Sequence, residues 1–240
     1  MVARSSPLSP TLIEIGRHPT GRGAAAVAVA DLDGDARLDA AVANAAATVD
    51  ANGTLDVLTA NLRGGDVTVL LGDGQGGFRP APGSPFAAGD APFAVAAGDF
   101  DGDGAADLAV ASSASNSTGR GRDGLILLRG DGRGGLAPFG GSVRPLPTGA
   151  APVAVAACDL DGDGRAEAIT ADYNGGSVTT ASWREPGAVT RTVPVGRQPE
   201  GIACGDLDGD GREEVLVVVL GGDDALVILR AVEGHEGRIE

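Results

Sequence analysis

The sequence is poor in aromatic residues and positive charge, and it has no long hydrophobic run. Aromatic residues make up only 3% of the 240 positions, so a core must be built mainly from Ala, Val, Leu and Ile. No segment approaches the roughly 18 consecutive apolar residues of a membrane span, and the N-terminal MVARSSPLSP lacks the apolar segment of a signal peptide. The formal charge of -15 argues against nucleic acid and anionic membrane surfaces as partners and favours cations.

Histidine is also scarce, which limits the catalytic chemistry open to the chain. His18 and His235 are its only histidines, and neither lies in a nucleophile, zinc or nucleophile-elbow motif. The sequence therefore shows no catalytic constellation. Its abundant carboxylates are better explained by metal binding than by acid–base catalysis.

What the chain does contain is glycine and a recurring acidic segment. Forty glycines and fourteen prolines indicate frequent turns and leave little room for long helices. The acidic segment occurs four times, as DLDGDARLDAAV from Asp31, DFDGDGAADLAV from Asp99, DLDGDGRAEAIT from Asp159 and DLDGDGREEVLV from Asp206. A single copy is readily explained as a solvated turn, but four copies need one common explanation.

Each acidic segment lies between short segments that read as β-strands. A run of small apolar residues precedes it, as in FAVAAG at 93–98 and VAVAAC at 153–158, and two further strand-like runs follow. Alternation and β-branched residues favour strands over helices in these runs. A weaker fourth element ends each time in Gly-x-x-Pro, at 16–19, 89–92, 149–152 and 196–199. The sequence thus predicts an all-β fold of four-stranded units.

The two ends of the chain are predicted to pair. IEIGRHPTG near the N-terminus matches VPVGRQPEG at 193–201, so residues 11–16 are interpreted as the fourth strand of the last unit. That pairing would close a ring and remove both sheet edges, as in a β-propeller. We therefore expect a single domain over 1–240 with four blades, at about 22–92, 93–152, 153–199, and 200–240 together with 11–16. The alternative is a segment of a larger propeller.

The first unit contains a local duplication. NGTLDVLTAN at 52–61 repeats DARLDAAVAN at 35–44 with a shift of seventeen residues. The duplicated copy offers a fifth, weaker metal site or forms a surface excursion without metal. The absence of the first carboxylate favours the excursion. The residues on the motif positions are Thr48, Asp50, Asn52, Gly53 and Asp56.

The spacing of the acidic segment is typical of calcium binding. D-x-D-x-D-G-x-x-D/E places side-chain oxygens at positions 1, 3, 5 and 9, with glycine at position 6 where the backbone needs a positive φ. Ca²⁺ takes six to eight oxygen ligands at about 2.3–2.6 Å and tolerates irregular geometry. An EF-hand is excluded, because its Glu at position 12 is replaced here by Val42, Val110, Thr170 and Val217.

These motifs resemble the FG-GAP or VCBS repeats of integrin α-subunit propellers and of many bacterial surface proteins and lectins. The resemblance rests on DLDGDARLD, DFDGDGAAD, DLDGDGRAE and DLDGDGREE, with VTVLLGDGQGGF after the first unit, and covers nearly the whole chain. It implies about four Ca²⁺ sites, one in each loop between the first two strands of a blade. Ala36 replaces the glycine of the first loop, so we expect that site to be the weakest. The implied ligands are Asp31, Asp33, Asp35, Asp39, Asp99, Asp101, Asp103, Asp107, Asp159, Asp161, Asp163, Glu167, Asp206, Asp208, Asp210 and Glu214.

The two cysteines are predicted to remain unpaired. Cys158 aligns with Gly205 and Cys204 with Ala157, so they are offset by one position on neighbouring strands. Side chains one position apart on a strand point to opposite faces. We therefore expect no disulfide between them, and two cysteines alone do not indicate a redox compartment.

The face opposite the acidic loops is the predicted ligand face. In a four-stranded blade the 1–2 loops lie on one face, and the 2–3 and 4–1 connections lie on the other. The ligand-face candidates are Arg17, His18, Tyr173, Asn174 and Arg197. The alternative is that these are ordinary solvated loop residues.

Two functions remain open. The first is a calcium-stabilised module that binds a glycan or protein ligand through this face. The second is a propeller enzyme of the lyase or hydrolase type, with His18 as the general base. Only Tyr173 and Trp183 offer aromatic platforms for a glycan, which disfavours a lectin with one site per blade. The resemblance implies an extracellular or cell-surface location, while the lack of a signal segment leaves the cytoplasm open.

Overall fold

The described part of the chain is built almost entirely of short strands. The computed structural model describes residues 28–30, 39–41, 45–114, 121–184, 187–210, 212–219 and 225–231. The elements are β1 (Ala28–Ala30), β2 (Asp39–Ala41), β3 (Ala45–Ala47), β4 (Asp56–Asn61), β5 (Asp66–Gly72), β6 (Phe78–Pro80), β7 (Phe86–Ala87), β8 (Pro92–Gly98), β9 (Asp107–Ser112), β10 (Gly124–Gly130), β11 (Leu136–Pro138), a 3-10 helix (Phe139–Gly141), β12 (Pro152–Cys158), β13 (Glu167–Asp172), β14 (Ser177–Arg184), β15 (Gly187–Pro194), β16 (Pro199–Gly205), β17 (Glu214–Val219) and β18 (Ala225–Leu229).

The strands form successive antiparallel sheets, each from consecutive segments of the chain. The first sheet is the hairpin β1–β2, and the second contains β3 to β6 in order, with β7 also paired to β5. The third sheet runs β8 to β11, the fourth β12 to β15 and the fifth β16 to β18. The predicted all-β class is confirmed. Among the described residues no helix is long and apolar enough to cross a membrane.

Neighbouring sheets pack face to face in chain order, with their first strands in contact. β3 contacts β8, β8 contacts β12 and β12 contacts β16. Three apolar layers fill the spaces between the second and third, third and fourth, and fourth and fifth sheets. This is the arrangement of β-propeller blades, as predicted.

Small residues allow the first strands to approach one another. A Cβ added to Gly98 of β8 would lie 2.8 Å from the Cβ of Ala157 in β12 and 3.0 Å from that of Ala166. The second strands β4, β9 and β13 are buried along their whole length, so both of their faces belong to the core. Leu108 of β9, for example, packs between the second and third sheets, and Ala109 between the third and fourth.

The duplicated segment is part of a sheet, contrary to the predicted surface excursion. β3 and β4 pair antiparallel, and β4 lies inside the second sheet between β3 and β5. The run VLTAN after Asp56 is buried throughout, so its apolar side chains place it in the core whether or not the loop before it holds a metal. The expected unit 22–92 therefore contains both the hairpin β1–β2 and the second sheet.

The predicted closing strand, residues 11–16, lies outside the described residues. Closure of the ring, and the number of blades in it, stay predictions.

The expectation about the cysteines was wrong, because Cys158 and Cys204 form a disulfide with their Cα atoms 6.0 Å apart. The prediction rested on side chains that alternate between the two faces of a single sheet. β12 and β16 instead begin two different sheets, which meet through their side chains. Both cysteines belong to the apolar layer between the fourth and fifth sheets, so an offset of one position brings them together.

Candidate functional site

The acidic loop between β8 and β9 is wrapped around its own carboxylates. Asp99 accepts hydrogen bonds from the amide of Gly102 through Oδ1 at 2.7 Å and from that of Gly104 through Oδ2 at 2.8 Å. Asp103 accepts one from the Ala105 amide at 2.8 Å. Gly104, at position 6 of the motif, has a φ of 84°, as its conformational role predicts.

The loop between β12 and β13 repeats this geometry. Asp159 accepts from the amides of Gly162 at 2.8 Å and Gly164 at 2.9 Å. In the loop between β16 and β17, Asp206 accepts from the Gly209 amide at 2.7 Å. The same motif therefore folds in the same way in three successive sheets.

The carboxyl group at position 9 ties each loop to the sheet. Asp107 is fully buried and accepts from the Phe100 amide at 3.0 Å and the Gly130 amide at 2.8 Å. Glu167 accepts from the Leu160 amide at 3.1 Å, and Glu214 from the Leu207 amide at 2.9 Å. A Glu at this position thus reaches the same amide as an Asp does.

Burial strongly raises the pKa of two of these carboxyl groups. It raises the pKa of Asp107 to about 7, although hydrogen bonds from Gly130 and Phe100 act in the opposite direction. Burial likewise raises the pKa of Glu167 to about 7, against the hydrogen bond from Leu160. The nearby charges of Asp101 and Asp161 add to the respective shifts. A bound cation would favour the ionised form of both groups.

In three of the four predicted ligand sets, three of the four residues are brought together, and the clusters leave out Asp103, Asp163 and Glu214. In each cluster, one ligand oxygen per residue can be chosen so that all lie within 4.8 Å of one another. Such clusters of hard oxygen donors fit Ca²⁺. The first predicted set is not described: Asp31, Asp33 and Asp35 lie outside the described residues, and Asp39 is described only as the start of β2. The three clusters are Asp99, Asp101 and Asp107; Asp159, Asp161 and Glu167; and Asp206, Asp208 and Asp210.

An arginine from the third strand of each of these sheets reaches its acidic loop. Arg129 lies 2.6 Å from Asp101, and Arg184 lies 3.0 Å from Asp163. Arg230, directly after β18, pairs with Glu214 at 3.1 Å and also with Asp208. Sequence reasoning missed these arginines. Their recurrence at the ends of GLILLRG, SVTTASWR and DALVILR was the available signal.

The loop at 48–56 has the same shape with fewer carboxylates. Asp56 accepts from the amides of Val49 at 2.7 Å and Gly72 at 2.9 Å, as Asp107 does in its own sheet. Asn52 donates to Asp50 at 3.1 Å and accepts from Thr54, so side-chain hydrogen bonds hold the turn. The prediction that this loop binds no metal stays a prediction.

A second concave site lies at the opposite ends of the same strands. A cleft of about 310 Å³ is lined by Phe93, Val153, Tyr173 and Glu200. Tyr173 sits in the turn between β13 and β14, where its amide donates to the Ala151 carbonyl at 2.8 Å. The other three each occupy the second position of a first strand, directly after its proline.

The predicted ligand-face residues are only partly gathered by this cleft. Tyr173 lines it, whereas Asn174 and Arg197 are exposed and do not. Arg17 and His18 lie outside the described residues. Phe93 and Val153 were missed, because nothing in the sequence shows that equivalent positions of successive first strands meet around one opening.

With this geometry established, comparison with known proteins identifies the repeat. Residues 49–110 match the FG-GAP-like repeat family. This stretch is similar to an FG-GAP-like repeat. The matched stretch begins in the loop before β4 and ends in β9, so it covers most of the second sheet and the first two strands of the third. The FG-GAP-like stretch includes the acidic loop that holds Asp99, Asp101 and Asp107.

Among solved structures, one similar chain is an Agrocybe aegerita lectin described by its specific recognition of non-reducing terminal N-acetylglucosamine. The two chains are 18% identical with a TM-score of 0.46, and the match covers 81% of this chain and 50% of the lectin chain. The present chain thus spans about half the length of that lectin. No match was found among the curated proteins.

Proposed function

We propose that the protein is a calcium-stabilised β-propeller module that binds a glycan or protein ligand on the face opposite its acidic loops. The observation that carries the ligand proposal is the cleft around Tyr173. It lies at the ends of β8, β12, β13 and β16 that are remote from the loops 99–107 and 159–167. Metal binding and ligand binding would thereby be separated across the thickness of the sheets.

The calcium part of the proposal is supported by the donor sets. Each set gathers three carboxylates, which outnumber the one arginine that reaches each loop, and burial disfavours the ionised form of Asp107 and Glu167. A bound Ca²⁺ would supply the positive charge that lets these groups ionise inside the fold. The residues of this chain already shape the loops, since Asp99 and Asp159 hold the turns through backbone amides.

The ligand cleft combines apolar and polar groups in the manner of small-molecule sites. Phe93 and Val153 provide apolar contact, Tyr173 provides an aromatic ring with a hydroxyl group, and the exposed Glu200 accepts hydrogen bonds. A sugar presents an apolar C–H face and several hydroxyl donors, which match these two kinds of surface. A partner's side chain with an apolar stem and a donor group would fit the same surfaces.

A location outside the cytosol is part of the proposal. The disulfide between Cys158 and Cys204 supports it, because such bonds persist mainly in oxidising compartments.

Binding to a glycan array in the presence of calcium, followed by calorimetry on each hit, tests the ligand site. Tyr173→Ala should weaken binding roughly tenfold or more, since it removes a ring and a hydroxyl group from the cleft. Asn174→Ala is the matched control, because Asn174 is the next residue of the same turn but is exposed outside the cleft. Undiminished binding by Tyr173→Ala would contradict the proposed location.

A further inference from the structure

A third concave site lies on the side of the acidic loops, between the third and fourth sheets. This cleft has a volume of about 490 Å³, within the range of small-ligand sites. In a chain whose formal charge is -15, a site with three guanidinium groups is unusual. Its charged and aromatic lining residues are Arg129, Arg165, Arg184, Asp101, Asp103 and Trp183.

The three arginines differ in their partners. Arg129 pairs with Asp101 at 2.6 Å, and Arg184 pairs with Asp163 at 3.0 Å. The guanidinium of Arg165 forms no ion pair with any residue in the described ranges. One cation of the cleft therefore retains its capacity to bind an anion.

The side chain of Arg165 is held across the boundary between two sheets. It comes from the loop before β13 and lies over Gly102 of the loop before β9, where an added Cβ would be 2.7 Å from Nε. The Ala166 amide donates to the Asp99 carbonyl at 2.8 Å and joins the two loops directly beside it. The Arg165 side chain therefore lies against the neighbouring loop, at a boundary that this backbone hydrogen bond joins.

The neighbouring boundaries are built differently. Between the fourth and fifth sheets, the carboxylate of Glu213 accepts from the Asp159 amide at 2.8 Å. Ala166 stands in the place of Glu213 at the boundary of the third and fourth sheets, so no carboxylate enters there from that position. In the loop before β9 the position of Arg165 is taken by Ala105. Among the boundaries whose loops the structure describes, the combination of an unpaired arginine and a small neighbour occurs only between the third and fourth sheets.

We propose that this cleft binds an anionic sugar, through its carboxylate or sulfate group, with Arg165 as the principal contact. The planar guanidinium fork matches both groups with paired hydrogen bonds. Asp103, which is exposed and lies outside the cluster of Asp99, Asp101 and Asp107, accepts hydrogen bonds from sugar hydroxyl groups, which an acidic peptide side chain lacks. Trp183 is 6% exposed and lines the cleft, where it gives the sugar ring an apolar contact. This site is separate from the cleft around Tyr173 and does not depend on the function proposed for that face.

Trp183 makes the test direct, because it is the only tryptophan of the chain. Its fluorescence is followed while glucuronate, glucose 6-sulfate, glucose or inorganic sulfate is added to the whole protein. The two charged sugars should give saturable changes, and glucose should give none at the same concentrations. Inorganic sulfate should bind at least tenfold more weakly than glucose 6-sulfate, because it makes no contact through a sugar ring.

Two variants then test whether Arg165 contacts the anionic group of the sugar. Arg165→Gln should weaken binding of both charged sugars tenfold or more, since a charge-assisted hydrogen bond is lost. Arg133→Gln is the matched control, because Arg133 is exposed in the turn between β10 and β11 and does not line the cleft. Equal melting temperatures of the two variants would show that Arg165→Gln is folded.

Several results would overturn the proposal. They are unchanged sugar binding by Arg165→Gln, equal binding of inorganic sulfate and glucose 6-sulfate, equal binding of a short oligoglutamate peptide, or no response to either charged sugar. The last three are measured on the unmodified protein, so the proposal is decided even if the variant does not fold.

Discussion

At the scale of single residues, the carboxyl group at position 9 has two roles. Asp107 belongs to a cluster of possible calcium ligands, and it also accepts hydrogen bonds from two backbone amides while fully buried. Asp103, in contrast, accepts from the Ala105 amide of its own exposed loop. The repeated spacing predicted the first role of Asp107, but the second depends on Gly130, which lies 23 residues further along the chain.

Replacing Asp107 should therefore destabilise even the metal-free protein. Asp107→Ala leaves the amides of Phe100 and Gly130 without their acceptor, at a cost of roughly 1–3 kcal/mol in the free energy of unfolding. Asp103→Ala should cost less than about 1 kcal/mol, because water can replace its single bond. Urea unfolding in the presence of a chelator measures both. Equal losses would show that Asp107 acts only as a metal ligand.

At the scale of elements, the strands were predictable and the contacts between them were not. Alternating runs such as FAVAAG and the Gly-x-x-Pro connections indicate local backbone structure, which depends on near neighbours in sequence. The metal loops were predictable for the same reason, since their ligands lie within nine positions. The ion pair of Arg129 with Asp101 and the disulfide of Cys158 with Cys204 bring distant segments together. No local pattern encodes which segments will meet.

The acidic loops should also give the metal-free protein an unusual pH dependence. Burial raises the pKa of Asp107 and Glu167 to about 7 in the folded chain, so the folded state holds more protons than the unfolded state between about pH 4 and 7. The stability that this contributes is present at low pH and lost as the pH rises through about 7. Each group contributes a slope of up to about 1.4 kcal/mol per pH unit.

Calcium should reverse this trend, because protons compete with the metal for the same carboxylates. Denaturant midpoints at pH 5 to 8, with chelator or with calcium, measure both slopes. Glu167→Gln should flatten the metal-free slope, which separates the effect of this group from that of the overall negative charge. A metal-free protein that became more stable towards pH 8 would refute the assignment.

At the scale of the whole molecule, the proposed metal sites would determine whether the sheets hold together. A single site at a hundredfold excess of Ca²⁺ over its dissociation constant adds about 2.7 kcal/mol to the free energy of unfolding. Several sites together approach the total stability of a typical domain. Chelation should lower the melting temperature by many degrees, and added calcium should restore it. An unchanged melting curve, with no calcium found by elemental analysis, would end the calcium proposal.

The predicted closure of the ring can also be tested at the scale of the whole molecule. In the described part of the chain the fifth sheet ends at β18, whose Leu226 and Ile228 are 58% and 54% exposed. If residues 11–16 supply the fourth strand, deletion of residues 1–16 exposes this apolar edge and should promote association.

Deletion of residues 1–10 is the control, since it retains that segment. Light scattering and thermal melting compare the two proteins. A 1–16 deletion that stays monomeric and as stable as the control would show that the ends do not pair.

The disulfide between the fourth and fifth sheets makes one part of the chain a covalent ring. Cys158 ends β12 and Cys204 lies in β16, so the bond encloses β13, β14, β15 and the connection to β16. A protease that cuts one peptide bond inside this ring leaves a single molecule, and two fragments separate only after reduction. Cleavage in the turn that carries Tyr173 would therefore leave β12 of the fourth sheet covalently attached to β16 of the fifth sheet.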